Sequence, residues 1–272
     1  MRIGFDPAAP EKLRRFGLML PFAGTVSFAA SFAVEAPVHV GGRIDTALPC
    51  RIGAFTTVGE AVLRHVSIGR YCTLADGVQT GWDAAPEGWA TTSAPARLAD
   101  PHGWASLLGH DGHVPPDDFP AERPGTTIGH DVWIGQGAYL RAGITLGDGA
   151  VVAPRAMVMA DVPAYAVVEG APARVVRARF DEGTVARLRA LAWWRFSLFQ
   201  VPAGLTREVG AFLEHLEQAV ARGAIAPYEP GGMGRMIWRR WWSKKQFFFE
   251  KKNQKTLSIW RVLDRVCAAA NG

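Results

Sequence analysis

The sequence predicts a mainly β protein wound as a parallel β-helix, and three observations predict it: a six-residue aliphatic period, a second register of small or β-branched residues in step with it, and glycines at the turns. Stepping by six from Ile128 meets Ile134, Leu140, Leu146, Val152 and Val158. Four residues after each of these come Val132, Ala138, Ile144, Ala150, Ala156 and Val162. Gly129, Gly135 and Gly147 follow the aliphatic position, where a tight turn needs a residue without a Cβ. A period of six is neither that of a helix nor that of a single alternating strand, but it suits short strands joined by turns into a coil. Stacking the coils buries the aliphatic column.

An earlier block repeats the frame with Ile52 and Val58, then Val62, Ile68 and Leu74, with a two-residue slip between the sets. Cys72 falls in its small inward slot and reads as a core thiol. The element boundaries that follow are an N-terminal segment 1–37, a β-helix over 38–180 interrupted by a loop at about 77–124, C-terminal helices over 181–230, and a tail from 231 to 272. The interrupting stretch has no frame, several Gly and Pro, and four Trp or Phe. A loop of that length in a compact domain is functional or disordered, and its aromatic content favours function. Asp181 is placed to cap a helix whose Val185, Leu188 and Leu191 share a face and which ends near Trp193-Trp194. A second helix is expected from Thr206, with Val209, Phe212, Leu213, Leu216 and Val220 as its apolar stripe and Gly223 as its stop.

The chain has 272 residues, 49% hydrophobic and 20% charged, enough to bury a core. Its net charge of +5 looks like a nucleic-acid signal until it is located. From Gly231 onward there are ten Lys or Arg against two acids, a net +8, which leaves 20 bases and 23 acids, a net −3, in residues 1–230. The three cysteines, Cys50, Cys72 and Cys267, share no metal spacing, and their odd number argues against a disulfide framework, so a reducing cytoplasmic setting is expected. Lys12, Arg14 and Arg15 before the apolar stretch Phe16–Ala33 mimic a secretory signal, but Pro21, Gly24, Ser27 and Ser31 interrupt it and strand-like sequence runs on through Val38 and Val40. No uninterrupted apolar run reaches 18 residues, so no transmembrane helix is expected.

The run Ile128-Gly-His-Asp-Val-Trp-Ile-Gly135, with Gly143-Ile-Thr-Leu-Gly-Asp-Gly149, Asp161-Val-Pro-Ala-Tyr165 and Gly170-Ala-Pro-Ala-Arg174, resembles the C-terminal half of hexapeptide-repeat acetyltransferases. Arg177-Ala-Arg-Phe-Asp181 and the Trp193-Trp194 helix are similar to the xenobiotic (streptogramin and chloramphenicol) branch, and the resemblance covers about residues 38–194. It implies a left-handed sense for the coil, a homotrimer, and acetyl-CoA as acyl donor in a groove between neighbouring subunits. It further implies that Trp133 and Gly135 lie near that groove, that the backbone at Ala153 and Pro154 lines the pantetheine arm, and that Ala171, Arg174 and Arg177 meet the nucleotide end. Fixed guanidinium groups suit a coenzyme carrying several phosphate charges. Ala160 departs from the pattern, since many relatives have Lys there.

Relatives carry a histidine base in the inserted loop, within His-Pro-x-Asp-Trp followed by a Ser/Thr pair. The matching stretch here is Ala85-Pro86-Glu87-Gly88-Trp89-Ala90-Thr91-Thr92, with Ala85 in place of the histidine and Gly88 in place of the aspartate. General-base catalysis contributes roughly 10²- to 10⁴-fold, so this substitution bears directly on activity. Either another group, His102, His110, His113 or Glu87, supplies the base, with Asp83 also beside the vacant position, or the chain binds without reacting, or the loop aligns in a shifted register. Trp89 is expected to shape the acceptor pocket. His39, His65, His130 and His215 read as structural.

His110 and His113 are too few ligands for a zinc site, and no metal is expected. The tail from Arg235 interleaves Lys and Arg with Trp and Phe, the composition of an interfacial membrane segment or of a plain disordered extension behind Pro230-Gly231-Gly232. No nucleic-acid fold accompanies it, so no nucleic-acid partner is expected. The sequence thus points to an acetyl-CoA-dependent O- or N-acetyltransferase acting by direct transfer on a small molecule or sugar, cytoplasmic or peripheral at the inner face of a membrane. The alternative is a non-catalytic trimeric homologue that serves as a binding or scaffold protein.

Overall fold

A computed structural model of the chain describes residues 2–5, 9–22, 24–81, 85, 87–96, 103–110, 124–230 and 235–237. Short strands, most of two or three residues, stack into three sheets of six, eight and five strands, the walls of a β-helix, all parallel except one antiparallel edge strand in each of the first two. Sequential strands pass from the six- to the eight- to the five-stranded sheet and back, as in Thr126–Ile128, Trp133–Ile134 and Tyr139–Leu140. Ile128, Ile134, Leu140, Leu146, Val152 and Val158 are all buried, and so are the six residues of the second register. The period of six is therefore the side of the coil, and both registers point inward.

In the earlier block the inward residue is Leu63, not Val62. Val62 lies outward beside Gln79 and Arg43, whereas Leu63 is fully buried. The spacings Val58 to Leu63 and Leu63 to Ile68 are five rather than six, so both corners of this coil are one residue short, and together these two shortenings make the slip. The frame also persists further than expected into the supposed loop. Val78 and Thr80 are buried and Gln79–Thr80 is a strand, so the insertion leaves after Gly81 and returns at Pro124.

Pairing likewise starts before residue 38. Leu18–Met19 pairs with Val38–Val40, and Ala33–Glu35 with Cys50–Ile52. Leu18, Leu20, Phe22, Phe28 and Phe32 of the early apolar stretch close the end of the core, with ring centroids of the three Phe 5.0–5.9 Å apart. A solenoid needs such a cap because its last coil would otherwise expose the apolar column. Arg235–Ile237 of the tail adds antiparallel to Ala33–Glu35 at that same end, and the rest of the tail lies outside the described residues.

Asp181 caps the helix Glu182–Leu191, its carboxylate accepting from the Thr184 amide at 2.9 Å. The second helix runs Val209–Ala221, after a short turn at Leu205–Arg207. It begins later than Thr206, and Ala219 rather than Val220 completes its buried stripe. Both helices pack on one corner of the coil through Trp193, Trp194, Phe212, Leu213 and Leu216.

Candidate active site

The three corners of the coil differ in what occupies them. The first, between the six- and eight-stranded sheets, carries Phe55, Tyr71, Asp131, Gly149 and Tyr165 in successive left-handed positions, φ 55–69°. Side chains there cost free energy unless packing holds them. Here Phe55 stacks on Tyr71 at 4.6 Å, Tyr71 contacts Trp193 at 4.9 Å, and the Tyr71 hydroxyl donates to the Phe196 carbonyl at 2.9 Å. Asp131 accepts from Arg179 at 3.0 Å; burial pushes its pKa up while Arg179 pulls it down. His130 lies flat on Trp194, 4.9 Å between centroids, and its Nδ1 accepts from the Arg70 amide at 2.9 Å. Burial lowers the His130 pKa, with Asp148 opposing. The structural role expected of His130 is thus what the geometry shows.

The second corner, between the eight- and five-stranded sheets, gathers most of the residues expected at the donor groove. Strand register sets Trp133 beside Val151 and Ile134 beside Val152, so Gly135 and Ala153 are neighbours on successive coils. A Cβ on Gly135 would lie 2.5 Å from the Pro154 nitrogen, so only glycine lets these two coils approach here. Trp133 is 41% exposed although it is large and apolar. Above them, the antiparallel hairpin of Ala166–Gly170 and Ala173–Ala178 carries Ala171, Arg174 and Arg177 at the surface. Arg177 pairs with Val167, which pairs with Val151, placing it in the Trp133 column. Among the described residues neither arginine has a carboxylate partner; Arg174 donates to the Ala173 carbonyl at 3.0 Å and Arg177 to the Ala178 carbonyl at 3.3 Å. An exposed indole on this corner, with two exposed guanidinium groups above it that have no carboxylate partner among the described residues, suits a ligand ending in phosphates.

The third corner, between the five- and six-stranded sheets, is where the insertion erupts. It leaves at Gly81 and re-enters at Pro124-Gly125, one coil above Arg64-His65. Of the expected bases, Glu87 and His110 are exposed on the insertion, and His102 and His113 lie outside the described residues; Ala85, the position matched to the family histidine in the sequence, is exposed too. Trp89 is half-buried there. Among the described residues no three His, Cys, Asp or Glu are grouped as metal ligands. Cys50 and Cys72 are core thiols; burial pushes both up to about 12, which keeps them protonated and unreactive. His39 is exposed in the first coils, near Met19 and Pro21, and His215 is half-buried on the second helix.

Residues 125–160 match the family model for bacterial transferase hexapeptides, six repeats. A probable macrolide acetyltransferase of Lysinibacillus sphaericus is 31% identical over 147 residues, 53% of this chain and 78% of that protein. A chloramphenicol acetyltransferase of Agrobacterium fabrum is 33% identical over 141 residues, 51% of this chain and 63% of that protein, so the matched region spans less than two thirds of its length. A hexapeptide-repeat acetyltransferase crystallised with acetyl coenzyme A from Vibrio cholerae overlaps 54% of this chain and 67% of its own, at 22% identity and a TM-score of 0.39.

Proposed function

Because this chain belongs to the hexapeptide-repeat acetyltransferases of the xenobiotic branch, we propose that it transfers an acetyl group from acetyl-CoA directly to a hydroxyl or amine of a small molecule or sugar. The observation that carries this reading is the second corner, where Gly135 lets its coil close onto Pro154 of the next beside the exposed Trp133, and the hairpin above exposes Arg174 and Arg177. Acetyl-CoA supplies the activated thioester. The chain's part is to hold it: Trp133 flanks the arm, the Gly135, Ala153 and Pro154 backbone floors it, and Ala171, Arg174 and Arg177 take the nucleotide end. Direct transfer requires the acceptor atom within about 3–3.5 Å of the acyl carbon, which makes positioning the main contribution of a rigid coil.

The acting form is a homotrimer with the donor groove shared between copies. In support, the flank of this donor strip exposes Trp133, Met157, Val175 and Val176, with Val175 54% exposed, an apolar surface that a second copy would cover. The setting is cytoplasmic, with the tail, net +8, resting on the anionic inner face of a membrane. Among the described residues no helix is long and apolar enough to cross a membrane.

The test is acceptor-dependent thiol release from acetyl-CoA by the full chain, corrected for hydrolysis, across sugar, amino-sugar and antibiotic acceptors. Turnover with at least one acceptor is expected. Coenzyme binding with no turnover on any acceptor would instead establish the non-catalytic alternative.

A further inference from the structure

We propose that His65 is the base that accepts the proton of the acceptor hydroxyl or amine, acting from the coil itself rather than from the inserted loop. This rests on the acyl-transfer reading above. His65 occupies the third corner in a left-handed conformation, φ 42°. The pairing of Val66 with Thr126 and of Thr127 with Thr145 makes Gly125 and then Gly143 its neighbours up the column. Gly143, like His65, is left-handed, at φ 81°, but as a glycine pays no side-chain penalty there.

The non-glycine residues at the first corner are held by rings and ion pairs. No such contact holds His65: among the described residues its ring makes no hydrogen bond, and its buried Nδ1 has no partner. A buried unpaired nitrogen and a left-handed side chain are both costs, and a position that bears both without a packing return is where function is sought. The opposite edge of the ring faces Gly125, where the chain re-enters the coil. A Cβ on Gly125 would lie 2.9 Å from Cδ2 and 3.0 Å from Nε2, so it is the glycine at the point of re-entry that leaves the ring its space. The His65 carbonyl accepts from the Thr126 amide at 2.9 Å, which fixes the backbone beneath the ring. The charged groups nearest along the column are Arg64 on the same coil, paired at 3.4 Å to Asp45 of the coil below, and Arg141 above, which reaches the Met159 carbonyl.

The donor strip and His65 lie at opposite edges of the five-stranded sheet. One side of the coil, from Gly137 to Ala142, spans about 16 Å at ~3.3 Å per residue. A donor lying along the strip must extend its acyl end over that distance or present it to the third corner of a neighbouring copy. In the step itself the acceptor O–H or N–H bond breaks as its proton passes to Nε2. The freed electron pair forms the new bond to the acyl carbon, the carbon–sulfur bond breaks, and the imidazolium returns the proton to the departing thiolate.

The test is the pH–rate profile of the full-length wild type, His65→Asn and His65→Gly, with the acceptor that supports wild-type turnover. Asn and Gly both tolerate the left-handed corner, so the fold is expected to survive. A loss in kcat of about 10²- to 10⁴-fold is expected, with KM for acetyl-CoA unchanged, the acid limb of the profile abolished, and partial rescue of His65→Gly by added imidazole. Wild-type turnover together with a folded His65→Asn that keeps its kcat and its acid limb would overturn this assignment alone. A kcat loss with an unaltered pH profile and no imidazole rescue would overturn it too, reducing His65 to a structural part. Absence of acceptor-dependent turnover in the wild type would overturn both this assignment and the activity on which it rests.

Discussion

The corner beneath the C-terminal helices and the corner that emits the insertion are built on the same coil, yet they treat a histidine in opposite ways. At the first, His130 is stacked on Trp194 and accepts from the Arg70 amide. At the third, His65 has a buried Nδ1 with no partner among the described residues. Polar groups that are satisfied and covered serve the scaffold, whereas one that is strained, unsatisfied and without packing to offset the cost is where another use is sought. Left-handed residues of the covered corner are held even where a polar atom is unpaired: Tyr71 and Asp131 by hydrogen bonds, and Tyr165, whose buried hydroxyl has no partner among the described residues, by the Arg179 guanidinium over its ring, whereas His65 has neither.

This contrast fails most visibly if the covered corner is dispensable. Trp194→Ala removes the ring under His130 and opens the helix-to-coil core; a cost of about 3–5 kcal/mol is expected. At ~2–4 °C per kcal/mol for a chain of this size, the thermal midpoint should drop by roughly 10 °C. A shift of a degree or two would show that the helices are not anchored here. The open corner should respond in the other sense. Gly125→Ala pushes the His65 ring off its position at a cost of only about 1 kcal/mol, and the visible effect should be a loss of turnover rather than of stability. Unchanged turnover in that variant would detach the ring's placement from the chemistry.

The smallest expected effect concerns pH. Burial lowers the folded-state pKa of His130, so near neutrality the ring is uncharged in both states. As pH falls below about 6.5 the unfolded chain takes up the proton more readily than the folded one. The contribution of His130 to stability is thus present above that value and is lost as pH falls towards the lowered folded value. Asp131 works oppositely: its raised pKa makes the folded state the better proton acceptor, so its contribution is fullest in acid and falls as pH rises through the folded value. Denaturant midpoints of wild type and His130→Gln between pH 7 and 5 should therefore converge as pH falls. Parallel curves would mean that His130 carries no such linkage.

The fold was legible because a buried column repeats wherever the coil repeats, and Ile128 to Val158 keep strict step. Misassignment of Val62 arose where two consecutive corners each lost a residue, a change that leaves composition and hydrophobicity untouched and moves Leu63 inward. The strand Arg235–Ile237 was hidden because its partner lies about 200 residues earlier, and nothing local in a basic aromatic run announces a pairing at that distance. At the candidate site, the donor strip could be read from Trp133, Gly135 and the arginines because they sit inside the repeat or just beyond it. His65 reads as structural from its residue type alone, although its position one coil below the break in the frame, opposite Gly125, is a signal the sequence carries.

A calorimetric titration of acetyl-CoA into wild type and into Arg174→Ala/Arg177→Ala tests the donor strip most directly. Binding to the wild type is expected, with at least about tenfold weaker binding in the double variant, the order of 1.5–3 kcal/mol for hydrogen bonds to charged groups, and an unchanged thermal midpoint because both guanidinium groups are exposed. Equal affinity in the two proteins, or no binding to either, would contradict the placement of the coenzyme along Gly135, Pro154 and the hairpin arginines.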